Sequence, residues 1–582
     1  MKRAKIISLA LAAVFAAGLV TAGCKKSDGK ITAGLKTIKF PDTVQTVDLN
    51  GDGFVDYDRF LAQSTTNEAS EEGVIVSPYY EAEATSAKDT KTEVYVYSVP
   101  MLLSEVHSFG YIEADKNDFP IKIIVNAKYE VESAVVIPEK FGITPTVEND
   151  EISFTVEDFG SYNLLFNGKY NFERPLTFFV RENENIDKDG RKIVDYDGAD
   201  GIITVKSGTT LRFKSGYHIV DALTMESNSA VYLETGAYIL ARMPDKYNEP
   251  NVINDSGNNN WQAFFKASGV DNVKVYGHGV IDFSRLSLHA RHPFNFQGCR
   301  NVEVDGLTLL HGAAWNLLIT DCENIKVNDM VIFGYRMNSD GIALCNCKNG
   351  LVTNSWIRSG DDLFEVKATK GQANVSGTGG SNLVWRNNQA WAEKTRGFGF
   401  IQETQMDVDG ILFEDCSLLC QTATWNEAMG GFLVIVGDGH KVKNVTFKNC
   451  DSYYCLGYVA NISAAPNMWT ITDLPENAHD PDSYGSIENI TFDGFKFSYD
   501  YSGEESTLTD SFGNYAKSGG GIKLSVADHN HAGVYGGVEN LKDITFKDIY
   551  VDGVKAEKLE NLPFAIKNTG VDLIKNNIRL VK

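Results

Sequence analysis

One short strand motif recurs through the second two-thirds of this chain and limits what the chain can fold into. It reads NVKVYG from Asn272, NVEVDG from Asn301, NIKVND from Asn324, GLVTNS from Gly350 and NLVWRN from Asn382. It continues as GILFED from Gly410, NVTFKN from Asn444, NITFDG from Asn489 and DITFKD from Asp543. The first intervals are 29, 23 and 26 residues. Such a unit cannot bury its apolar face alone and must stack on its neighbours. Leucine-rich repeats share the period, but their fixed leucine pattern is missing. The prediction is an all-β chain whose residues 199–582 form a right-handed parallel β-helix. Asp473–Ser486 and Ser502–Val538, where the intervals lengthen, read as surface loops.

The cysteines follow the same rhythm. Cys299, Cys322 and Cys347 each open a Cys-x-Asn-x-x-Val stretch, and Cys416 and Cys450 form a second pair of equivalent positions. This predicts stacks of buried thiols on successive coils, with a disulfide between neighbours as the alternative in an exported protein. No CxxC pairing or histidine cluster points to zinc.

Upstream the texture differs. Residues 1–23 read as a lipoprotein signal peptide: Lys2, Arg3 and Lys5, then an apolar run, then Thr21-Ala22-Gly23-Cys24. Cys24 is the expected lipidation site, which makes the chain an exported bacterial lipoprotein at a membrane or cell surface; plain secretion is the alternative. The apolar run is about 15 residues, short of the roughly 20 that span a bilayer. Residues 24–75 read as a tether. Within it Asp48, Asn50, Asp52 and Asp56 take positions of an EF-hand-type loop, but Arg59 stands where a bidentate carboxylate belongs. The segment is therefore either a structural calcium loop or a plain turn. Residues 76–198 carry short apolar runs (VYVYSV, IKIIV, SAVVI, EISFTV, LTFFV) and predict a β-sandwich, with a linker from Asp187 to Asp200. The net charge of −23 excludes nucleic acid and anionic membrane surfaces as partners.

Function concentrates between Asn338 and Lys367. Asp340 precedes Asp361 and Asp362 by 21 and 22 residues, about one coil. Stacked coils are ~4.8 Å apart, so Asp340 is expected beneath the pair. Adjacent strand residues face opposite ways; Asp361 and Asp362 share a face only where the strand breaks, which Gly360 permits. Three carboxylates in one patch raise at least one pKa, as a general acid requires. Taken singly, NSDG and GDD read as ordinary turns; their spacing joins them.

Several stretches together resemble the β-helical glycoside hydrolases: the polygalacturonases (family 28) and, more closely, the dextranase/isopullulanase group (family 49). They are VYLETGAYILA (231–241), VYGHGVIDF (275–283), the coils over 291–332, NSDG (338–341) and GDDLFEVK (360–367). Two departures separate the chain from polygalacturonases. TRGFGF (395–400) stands where those enzymes carry Gly-His-Gly, and Leu433 and Ile435 stand where they carry Arg and Lys. The resemblance implies an inverting hydrolase of a neutral α-linked polysaccharide, dextran- or pullulan-like, with no catalytic cofactor. Asp361 would be the acid, with Asp340 and Asp362 holding the water. Lys367, Arg396 and Glu403 are candidates to contact substrate, and Trp315, Tyr335 and Trp425 are candidates to stack on sugar rings. The alternatives are a pectin hydrolase, a lyase on the same fold, which would need an Arg or Lys base, and a non-catalytic glycan-binding β-helix.

Overall fold

The computed structural model describes residues 34–42, 74–101, 105–243, 262–369, 377–467, 484–503, 509, 513–514 and 516–581. Residues 1–33 and 43–73 lie outside this set, so the signal segment, Cys24 and the Asp48–Asp56 loop are outside the described residues.

From Lys192 onward each coil visits three parallel sheets in turn. The first sheet has 13 strands and begins at Lys192–Asp195. The second has 12 and begins at Gly216–Val220; the third has 12 and begins at Ile202–Val205. The recurring motif is the first sheet: Val302, Ile325, Gly350 and Leu383 stand in register on successive coils. Its asparagine is there for a backbone reason. Asn301, Asn324, Asn349 and Asn382 all take φ between 51° and 59°, a left-handed conformation that asparagine tolerates best after glycine. Each side-chain amide then donates to the asparagine one coil below, at 2.9 to 3.2 Å. The preceding cysteine points inward, and all eight described cysteines are buried free thiols. Aromatic stacks run up the interior at coil spacing, as in Phe413, Phe447, Phe492 and Phe546 with centroids 4.8 to 5.3 Å apart.

The N-terminal strands make a seven-stranded sheet facing a five-stranded one, the predicted sandwich. Its seven-stranded face lies on the outer side of the second sheet. There Phe109, Tyr111 and Phe179 pack with Phe333, Trp356 and Trp391, each buried aromatic contributing roughly 1.5–3 kcal/mol. Polar groups are paired across the seam: Trp356 Nε1 donates to Asn163 Oδ1 at 2.8 Å, and Arg358 meets His107, Glu105 and Glu393. The first and third sheets are left uncovered by the sandwich; the first turns side chains such as Lys326 to solvent, while the outward side chains of the third, such as Ala343, Glu365 and Leu433, are mostly buried.

Three segments differ from expectation. Residues 35–41 are not tether: Lys36–Thr37 pairs with the sandwich strand Val106–Ala114, and Phe40 stacks on Tyr97 at 4.2 Å. Lys192–Asp195, expected as linker, is the first strand of the helix, with Tyr196 against Phe213 at 4.7 Å. Ser502–Val538 contains a buried third-sheet strand, Ile522–Ser525, because Ile522 and Leu524 alternate into the core.

Candidate active site

The trio sits on the corner between second and third sheets. Asp340 closes the turn that follows Val331–Phe333, and Asp361 and Asp362 lie in the turn after Trp356–Arg358. The coils approach closely here: a Cβ on Gly360 would stand 2.2 Å from the Arg336 carbonyl oxygen, and one on Gly341 2.3 Å from that of Leu363. Glycine is therefore what lets the two turns stack and brings carboxylate oxygens of Asp340, Asp361 and Asp362 within 4.8 Å of one another. The backbone is held as well. Asn316 Nδ2 donates to the Asp340 carbonyl at 2.9 Å, and the Asn338 N–H donates to Asp361 Oδ2 at 2.9 Å. His289 Nε2 lies 2.8 Å from Asn338 Oδ1.

Two cations flank the trio. Arg396, one coil above, donates to Asp362 Oδ2 at 2.7 Å and to Gln402 Oε1 at 3.1 Å. Lys367 Nζ stands 3.1 Å from Glu365, 3.6 Å from Glu403 and 3.7 Å from Asp340, and 4.0 Å from the Trp315 ring centre. Glu403 reaches this point because the strand Arg396–Thr404 is bulged where it pairs with Phe364–Ala368. Among the described residues the trio is one set close enough to share a metal ion; Arg396 and Lys367 already bring positive charge to two of its sides.

Five carboxyl groups (Asp340, Asp361, Asp362, Glu365, Glu403) thus face two cations in a mostly buried place. Burial and then the neighbouring Asp361 push Asp340 well above the usual carboxylate range. Asp361, the most exposed of the three, is pushed up to about 6 by burial and by Asp362. Glu365 is fully buried and pushed up to about 8, burial again being the main cause. Burial would lower Lys367, but the surrounding carboxylates, Glu365 first among them, outweigh it and raise it. The sign for stability follows. A carboxyl raised on folding favours the folded state while protonated, and that contribution is lost as pH rises through its folded value. Glu365→Gln is therefore expected to raise the melting temperature relative to wild type increasingly as pH goes from about 5 to about 9, across the value of about 8. Thermal melts across that range check it; a constant offset would refute it.

The structure gathers Asp340, Asp361, Asp362, Lys367, Arg396, Glu403 and Trp315 in one place. It does not bring Tyr335 to them as a platform: Tyr335 is 0% exposed and packs against His311 at 4.8 Å, so no sugar ring can lie on it. The strand alternation of FEVKA puts Phe364, Val366 and Ala368 inside, which leaves Glu365 and Lys367 on the outer face together. That alternation is the signal that finds Glu365, which the motif comparison passes over. Asn316 and His289 act from other coils, and nothing local in the sequence marks them.

Residues 246–382 match the family model described as Glycosyl hydrolases family 28. A "Probable polygalacturonase" of Arabidopsis thaliana is 21% identical over 231 residues, covering 36% of this chain and 49% of that protein. Polygalacturonase QRT2 of the same plant is 27% identical over 135 residues, 20% of this chain and 30% of the relative. The chain therefore spans half or less of the length of these relatives. Among solved structures, Dex49A from Penicillium minioluteum aligns with a TM-score of 0.52 over 85% of this chain and 92% of that one, at 11% identity, and so shares the fold. The stretch similar to family 28 includes the coils of all three aspartates and Lys367.

Proposed function

We propose that the chain is an inverting glycoside hydrolase acting on a neutral α-linked polysaccharide, dextran- or pullulan-like, outside the cytoplasm and tethered through Cys24. The observation that carries the reading is the asymmetric carboxylate trio. Asp361, at about 6 and the most open to solvent, is suited to give a proton to the leaving oxygen. Asp362, fixed by Arg396, and Asp340, beside Lys367, hold the attacking water between them.

Inverting pairs usually stand about 6.5–9.5 Å apart and retaining pairs about 5–5.5 Å, whereas oxygens here approach within 4.8 Å. Distance alone would favour a covalent route. Against that, the groups able to serve as nucleophile are tied down: Asp362 by the guanidinium, and Asp340 by burial that disfavours its charge. A third carboxyl also gives the water two acceptors, which a two-carboxyl site lacks.

The substrate reading rests on charge. A uronate would place its carboxylate beside five carboxyl groups and two cations, a costly burial without a further cation. On the outer face of the third sheet, the position one coil above Glu365 is Gly399 and the next is Leu433. Leu433 and Ile435 are buried together with Ala428. The polygalacturonase names of the relatives favour pectin instead, so the test includes it. Incubation with dextran, pullulan and polygalacturonate is expected to release new reducing ends from a neutral glucan, with NMR showing the β anomer first. Preferential cleavage of polygalacturonate would overturn the substrate, and first release of the α anomer would overturn inversion.

A further inference from the structure

The corner that carries the trio does not end with it. Two coils above the Asp361–Asp362 turn, the same corner lengthens into residues 422–429, between Ser417–Gln421 and Gly430–Val436. The turn between them, 393–395, is short. The longer loop leans over it: Thr422 Oγ1 donates to the Glu393 carbonyl at 2.7 Å, and Trp425 Nε1 donates to the Lys394 carbonyl at 3.0 Å.

The loop is fastened from the sheet side as well. Arg396 Nε donates to the Ala428 carbonyl at 2.9 Å, from the same guanidinium that holds Asp362. Asn461 Nδ2 and Lys523 Nζ, from the next two coils up, both donate to the Glu427 carbonyl at 2.9 Å. Backbone carbonyls of an exposed loop normally turn to water. Here two consecutive ones are held by buried side chains on three different coils of the third sheet. What this fastening presents is Trp425, 42% exposed, whereas among the described residues Trp356, Trp385 and Trp391 are fully buried and Trp315 is half-buried.

We propose that Trp425 is a stacking platform for a pyranose ring of the polysaccharide bound at the trio, about two sugar residues beyond the bond that is cleaved, toward the C-terminal coils. The proposal rests on the hydrolase reading above and names a binding residue for it. The loop leaves the corner two coils above the trio and the indole edge is bonded one coil above it, so at ~4.8 Å per coil the indole stands within ~10 Å of the trio's level, the span of two linked pyranose rings. An indole offers a large flat apolar face to the C–H face of a sugar while its N–H stays hydrogen-bonded at the edge. That edge is already fixed on Lys394, so little side-chain freedom is lost on binding. Arg396 joins the loop that carries Trp425 to Asp362, bonding the Ala428 carbonyl and the Asp362 carboxylate from one guanidinium.

The test measures binding without turnover. In an Asp361→Asn background, α-1,6-linked glucose di-, tetra- and octasaccharides are titrated by calorimetry into the protein with and without Trp425→Ala. The octasaccharide is expected to bind about tenfold more weakly after Trp425→Ala, the size of one aromatic contact, with the disaccharide unchanged and Trp425→Phe restoring most of the loss. Equal octasaccharide affinity, an equal loss for the disaccharide, or no binding of any of the three would overturn the platform. The hydrolase reading is judged separately by reducing-end release from the protein carrying Asp361. Chain-length-dependent loss without release overturns hydrolysis and keeps the platform; release with no effect of Trp425→Ala does the reverse. Trp425 is a loop residue outside the core, and melting temperatures within error of one another confirm that folding is unchanged.

Discussion

Replacing Asp361 by asparagine is expected to remove turnover almost completely while leaving the fold and glycan binding in place. Loss of a general acid costs about 10²–10⁴ in rate. Asparagine keeps the side-chain shape but only one oxygen, whereas the two oxygens of Asp361 each accept a backbone N–H, Oδ2 from Asn338 at 2.9 Å and Oδ1 from Asp362 at 3.0 Å, so one of these bonds is lost and a thermal melt must accompany the rate. What disappears is the proton. An acid held at about 6 is loaded below that pH and empty above it, so the wild-type rate should fall as pH rises through about 6, where a role as base would make it climb. The measurement is initial rate by new reducing ends on the best glucan, together with a thermal melt of the variant. Activity within about tenfold of wild type would remove Asp361 from the acid role, because the range for such groups starts above that.

The parts of this molecule that were legible in the sequence are those governed by local repetition. A left-handed asparagine, an inward cysteine or valine and a coil-length interval recur because every coil solves the same stacking problem, so the parallel helix could be read from NVEVDG and its copies. The aspartate trio was legible for the same reason: one-coil spacing converts sequence distance into adjacency. Where the repeat weakens, so did the reading. Leu35, Ile38 and Phe40 lie in a polar stretch and are too few to show a period, yet they are buried in the sandwich. The strand Ile522–Ser525 lies in a long insertion, and its two inward side chains did not stand out. Tyr335 sits beside the trio in sequence but points into the core, because a corner residue's direction depends on the turn and not on strand alternation. Glu365 was hidden by its neighbours: a motif comparison weights Asp361, Asp362 and Lys367, while the cost of burying Glu365 becomes visible only when Glu403 arrives from the next coil.

Lys367→Met should destabilise the protein in a strongly pH-dependent way, opposite in sign to Glu365→Gln. Lys367 is 3% exposed and has Glu365, Glu403 and Asp340 within 3.7 Å. Removing one partner of a buried charge network typically costs about 3–5 kcal/mol, because the remaining charge has no counter-ion. Methionine retains most of the volume and the contact with Trp315, so the loss reports charge and not a cavity. The carboxyl groups have one escape, which is to take up protons. At pH about 5 that costs little, since Glu365 already favours its neutral form up to about 8. At pH about 9 protons must be taken from a dilute pool and the full penalty appears. The melting-temperature deficit of Lys367→Met is therefore expected to widen from pH 5 toward pH 9, and the double variant with Glu365→Gln should recover part of it, since the two side chains are coupled at 3.1 Å. A deficit independent of pH would mean that Lys367 acts through packing alone. Strict additivity in the double variant would mean that the ammonium serves Asp340 and Glu403 without Glu365. Lys367→Arg separates the remaining readings: a planar guanidinium keeps the charge but cannot reproduce a point charge among three carboxyls, so stability at high pH should return further than activity does.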